Sequence, residues 1–100
     1  MTRGTTPTYT ISFEEEIDFS SVTTWAVTLY QFGHTLTIED PIVDLTENTL
    51  TITLTQEQTL MFQKGVASIQ VRGMFGDGVA FASNIGCVPI NPVLDERVLP

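Results

Sequence analysis

A chain of 100 residues with 42% hydrophobic residues can close one hydrophobic core and is too apolar to remain disordered. Twelve acidic residues against four basic ones leave a formal net charge of −8. Phosphate backbones and anionic membrane surfaces repel such a surface, so neither nucleic acid nor membrane is an expected partner.

In chain order, Met1 to Thr8 comes first, with little charge, no hydrophobic pattern and two points of altered backbone freedom, Gly4 and Pro7. It lacks the apolar core of a signal peptide, and no apolar run in the chain reaches membrane-span length, so synthesis in a cytoplasm is the expectation. Two readings of this segment stand side by side: a frayed terminus, or an arm that adds to the exposed strand edge of a neighbouring subunit. Tyr9, Ile11 and Phe13 then alternate with Thr8, Thr10 and Ser12, the pattern of a half-buried strand. Glu14-Glu15-Glu16 and Asp18 form the densest charge cluster. Neighbouring side chains of an extended chain point to opposite sides, so the cluster predicts a solvated loop rather than a calcium site.

Val22 to Phe32 predicts the longest strand, with Trp25, Val27 and Leu29 on one face and Ala26, Thr28 and Tyr30 on the other. Apolar groups on both faces make it central. Gly33 breaks the pattern, and His34 to Ile38 resumes it. Asp40-Pro41 marks a turn or bend, after which Ile42 and Val43 are a short continuation. Thr49 to Leu54 is the clearest strand, with Leu50, Ile52 and Leu54 inward and three threonines outward.

Thr55-Gln56-Glu57-Gln58 matches a capping box, Leu60, Met61 and Phe62 supply an apolar side, and Lys64-Gly65 is the predicted helix stop. So short a helix needs tertiary support; it is expected to plug one end of a sandwich. Val66 to Met74 alternates again, Gly76-Asp77-Gly78 is a turn, and Val79 to Ile90 completes an antiparallel hairpin. Cys87, the sole cysteine, excludes an intrachain disulfide. Its apolar neighbours Ile85, Val88 and Ile90 predict a buried thiol acting as a small hydrophobe. The tail Val93 to Pro100 is predicted partly exposed and poses the same choice as the N-terminus.

The sum is an all-β chain: an antiparallel β-sandwich of about six or seven strands with one short helical turn near residues 56–62. Residues 1–8 form an N-terminal arm, 9–92 the sandwich and 93–100 a C-terminal tail. His34, the sole histidine, is expected as a surface or satisfied strand residue. No catalytic, cofactor-binding or metal-ligating constellation is predicted, so the chain is not expected to be an enzyme. The residues expected to bind partners are Arg3, Gly4, Thr5, Thr6, Pro7, Thr8, Val98 and Leu99. Tyr9, Trp25, Tyr30 and Phe32 could form an aromatic sugar platform, although their spacing favours the core.

The opening Arg3-Gly4-Thr5-Thr6-Pro7-Thr8, the run Leu54 to Phe62, Ile69-Gln70-Val71-Arg72 and Asp77 to Ser83 together resemble a group of roughly hundred-residue proteins of bacteriophages and prophages of gut Firmicutes. A looser likeness, in the order of turn, glycine, strand and Asp-Gly hairpin, is to the N-terminal domain of phage baseplate upper proteins. That resemblance implies an immunoglobulin-like sandwich and a virion structural or assembly protein of head, neck, tail or baseplate. Its implied partners are other virion structural proteins, with homo-oligomers in the assembly, and its implied place is the virion after synthesis in the host cytoplasm. The alternative is a virion-surface binding module, a decoration or host- and glycan-binding domain.

Overall fold

A computed structural model describes residues 1–13 and 16–100. Eight strands are described: β1 (Thr8–Ser12), β2 (Val22–Gln31), β3 (His34–Ile38), β4 (Ile42–Asp44), β5 (Thr49–Thr53), β6 (Gly65–Phe75), β7 (Ala80–Ala82) and β8 (Gly86–Ile90), with one helix, α1 (Gln56–Leu60), and a 3-10 turn at Phe19–Ser21. They build two antiparallel sheets. One has the order β1-β5-β4; the other has β3-β2-β6, with β7 and β8 both pairing β6.

This pairing order is that of an immunoglobulin-type sandwich entered at its second strand. The small sheet takes the places of the second, fifth and fourth strands. The large one has the extra edge strand, the third, the sixth and the last. Trp25 stands where such folds keep a buried tryptophan, on β2, and packs against Phe19 (centroids 4.9 Å apart), Phe81 (5.7 Å) and Phe13 (6.2 Å). Opposite it, Gly73 leaves room for Phe81: a Cβ there would stand 2.5 Å from the ring.

The inside–outside rhythm places Val27, Leu29, Leu50, Ile52, Leu54, Ala67 and Val71 in the core. Outward threonines pair across strands, Thr28 with Thr37 and Thr8 with Thr53. The capping box forms as predicted: Gln58 N donates to Thr55 Oγ1 and Thr55 N donates to Gln58 Oε1. The helix ends at Met61, ahead of Lys64-Gly65. Phe62 then turns inward and is wholly buried, and Gly65 instead opens β6 at a positive φ.

Three expectations are corrected. Ile42-Val43 does not prolong β3 but crosses to the other sheet and pairs β5, because the bend at Asp40-Pro41 releases the chain from the β2 ladder. Val79 to Ile90 is two strands, not one: Ser83 leaves the ladder, its Oγ accepting from Val71 N and its backbone N donating to Val71 O. Cys87 is exposed, since Val88 and Ile90 take the inward positions of β8 and the strand period turns Cys87 and Pro89 outward.

In the loop before β2, Asp18 caps the 3-10 turn, accepting from Ser20 N, Ser20 Oγ and Ser21 Oγ. The hydroxyl bonds from Ser20 and then Ser21 hold its carboxyl below the ordinary value of 3.8. A lowered folded pKa stabilises above the unfolded value and ceases to do so as pH falls through the folded one. The Asp18→Asn variant is therefore expected to show a shallower fall in urea midpoint than the parent as pH is lowered below the ordinary carboxyl value of 3.8. Glu14 and Glu15 of the predicted acidic loop lie outside the described residues, and Glu16 is exposed.

Candidate interaction surface at the helical pole

The short helix and both termini meet at one end of the sandwich. Residues 1–3 lie beside the end of β8: Arg3 N donates to Asn91 O, Asn91 N donates to Met1 O, and Thr2 bridges Asn91 in parallel. Gly4, at a positive φ of 74°, passes close to Leu60 and Val93. Thr59 Oγ1 donates to Thr5 O, and Leu54 N donates to Pro7 O. Thr6 lies at the mouth of a shallow depression beside Leu54, Glu57 and Val98, and Thr8 opens β1 against Thr53.

The guanidinium of Arg3 holds this region together. Its Nε donates to Phe62 O, its Nη2 to Leu60 O (3.0 Å), and its Nη1 to Glu96 Oε1 (2.6 Å). It thereby satisfies carbonyls that a helix C-terminus leaves without intrahelical partners. The tail is fastened twice, by Glu96 to Arg3 and by Leu99, whose N donates to Gln56 Oε1 and whose O accepts from Gln56 Nε2. Residues Arg3 to Thr8, Val98 and Leu99 are thus gathered around α1 by bonds within the chain.

The β2–β3 hairpin turns at the same end. Buried Gln31 ties it to the segment after α1: Gln31 Nε2 donates to Gln63 O (2.8 Å), and Gln63 N donates to Gln31 Oε1 (2.7 Å). The turn that follows is Phe32-Gly33, with φ of 48° and 81°. Two positive φ values in a two-residue hairpin loop define a type I′ turn, whose first position favours Asn, Asp or Gly. A bulky aromatic residue in the left-handed region is a costly choice. Phe32 gains no burial in return, being 80% exposed. Met61, the helix C-cap, is 56% exposed, and Val98 and Leu99 are about half exposed. The pole therefore displays apolar side chains on a framework pinned by Arg3 and Gln31.

His34, the first residue of β3, stands edge-on to Phe62 (centroids 5.3 Å), and its Nε2 is buried without a hydrogen-bond partner. The expectation of a satisfied histidine is corrected at that atom: the phenyl wall that shields the ring offers no acceptor. The four aromatic residues considered as a sugar platform share no surface. Trp25 is buried, Tyr9 is half-buried against the core, and only Tyr30 and Phe32 are exposed. Sequence reasoning weighed Phe32 only within that platform and favoured the core for it, whereas the structure exposes it. The signal was present in Phe32-Gly33 itself, an aromatic where turn chemistry calls for Asn or Gly.

No family model, curated protein or solved structure matches the chain. Among the described residues, no three His, Cys, Asp or Glu side chains gather as metal ligands, and no helix is long and apolar enough to cross a membrane.

Proposed function

We propose that this protein is a virion structural or assembly component that works by protein–protein association, without chemistry, in a head, neck, tail or baseplate. The ordered series of sequence motifs supports the virion setting. The observation that carries association is Phe32: a turn position held in an unfavourable conformation by a residue that serves neither the turn nor the core. Conformational cost of this kind is characteristic of sites where function selects the residue. Exposed aromatic side chains on a rigid support are the usual anchors of protein interfaces. The helical pole, with Phe32 and Met61 displayed and both terminal segments folded over α1, is the surface that meets the neighbouring virion subunit.

The test sets stability against binding. Phe32→Asn suits the type I′ turn and is expected to raise the thermal midpoint of the isolated protein. The same change is expected to weaken its co-sedimentation with purified virions of the phage that encodes it by about tenfold or more, as for an interface anchor. Equal co-sedimentation of parent and variant, or no association of the parent with virions, would defeat the proposal.

A further inference from the structure

Strand β3 forms an edge of the larger sheet and, among the described residues, pairs only β2. The two-residue loop Phe32-Gly33 makes Gln31 and His34 the closing hydrogen-bonded pair. Bonded and non-bonded pairs alternate along an antiparallel ladder, so Leu36 and Ile38 also spend their backbone groups on β2. Thr35 and Thr37 therefore turn their N–H and C=O groups away from the sheet. Among the described residues no hydrogen bond from another segment reaches those groups. Exposed edges are usually blunted by shortness, charge or proline. β4 has 3 residues, starts directly after Pro41 and ends in Asp44. β7 has 3 residues, and β8 carries Pro89 and is flanked at its end by residues 1–3. β3 has 5 residues, His-Thr-Leu-Thr-Ile, with no carboxylate, lysine, arginine or proline, in a chain whose net charge is −8.

We propose that β3 pairs with β3 of a second copy of this chain, antiparallel about a two-fold axis at Leu36. The register follows from the backbone groups that β2 leaves over. Setting Thr35 against the partner's Thr37 gives every outward N–H and C=O of both strands a partner, because the two-fold repeats the pair. It also keeps each side chain on its own face. Thr35 and Thr37 are exposed, and across the axis they form a threonine pair of the kind Thr28 and Thr37 form within the sheet. Leu36 meets its own copy, and Ile38 lies opposite the partner's His34, both on the half-buried face. Charge selects the direction. Glu39 and Asp40 follow β3 directly, and parallel pairing would set the acids of the two copies side by side. The antiparallel register puts Glu39 opposite the partner's Gly33, at the end of the partner that carries Lys64 beside the Gln63 tied to Gln31. The two acidic ends then stand about 20 Å apart, well beyond a Debye length of about 8 Å at physiological salt. One strand laid on another buries less than the roughly 1,200 Å² of a stable interface, so monomer and dimer exchange, with a dissociation constant on the order of 0.1 mM.

The test is sedimentation equilibrium of the purified full chain, carrying Cys87→Ser to remove its exposed thiol. The mass is expected to rise from 11.0 kDa toward twice that value between about 10 μM and 1 mM protein. Thr35→Pro removes one outward N–H at an edge position where proline is tolerated, and should weaken association about tenfold or more. Thr35→Glu combined with Thr37→Glu sets like charges opposite one another across the axis and should do the same, even where the proline variant fails to fold. Disulfide trapping reads the register. A hydrogen-bonded pair holds its Cα atoms about 5.5 Å apart, within bridging range, whereas the two copies of Thr35 stand about 7–8 Å apart. A mixture of the Thr35→Cys and Thr37→Cys proteins, each with Cys87→Ser, should therefore yield more cross-linked dimer than either protein alone. A monomer over the whole concentration range, equal cross-linking in the three samples, or a dimer indifferent to both β3 variants would overturn the proposal. Self-association is read from the protein alone, whereas Phe32→Asn is judged by co-sedimentation with virions, so the two proposals can fail separately.

Discussion

Replacing Phe62 by alanine is expected to destabilise the protein by about 3–5 kcal/mol, the range for truncating a buried phenylalanine. The phenyl ring is wholly buried at the end of the sandwich. It lies directly after α1 and forms the wall against which His34 stands edge-on. The Phe62 N–H donates to Thr59 O and its carbonyl accepts from Arg3 Nε, so the backbone is pinned on both sides. The cavity would therefore persist instead of collapsing, which places the loss at the upper part of that range. Domains of this size are commonly stable by only about 5–15 kcal/mol. Urea unfolding followed by Trp25 fluorescence and by circular dichroism should show the shift. A loss below about 1 kcal/mol would mean that the segment after α1 is not the plug of the core.

The second large effect is expected from Arg3→Ala, at about 2–3 kcal/mol, because two backbone carbonyls lose charge-assisted bonds in a partly buried setting. The carbonyls are those of Leu60 and Phe62, and the Arg3 side chain is only 15% exposed. The bond to Glu96 adds little to this figure, since the Glu96 side chain is 65% exposed and exposed ion pairs contribute about 0–1 kcal/mol. Arg3→Lys should recover only part of the loss, because an ammonium lacks the planar fork that reaches both carbonyls. Amide exchange should quicken across Gln56–Phe62 and at Asn91 before it does so in β2 or β6. Uniform quickening over the whole chain, or none, would show that Arg3 does not anchor the arm to the helix.

These two residues were unequally legible. Phe62 followed from the capping box: once Thr55 starts a helix, the apolar run at residues 60–62 must meet the core. Arg3 lay in a segment without periodicity, and no local rule connects it to carbonyls some sixty positions away. Phe32 was read as the end of a strand, since alternation alone carries no information on φ. The break between β7 and β8 was hidden for a related reason. Ser83 is a credible strand residue, and only the hydroxyl's bond to Val71 N shows that it has left the ladder. Cys87 was misplaced because its neighbours were counted as an apolar cluster, where the two-residue period should have assigned it to the outer face.

By itself the amino-acid order determined the all-β class, most strand positions, the Asp-Gly turn and the helix start, because each depends on side-chain alternation or on a hydrogen bond spanning a few residues. Only the tertiary structure decided which sheet β4 joins and how Arg3 ties the arm to the helix. These are relations between segments distant in sequence. They are settled by which backbone groups find partners once the two sheets have closed on each other, and no local pattern encodes that competition.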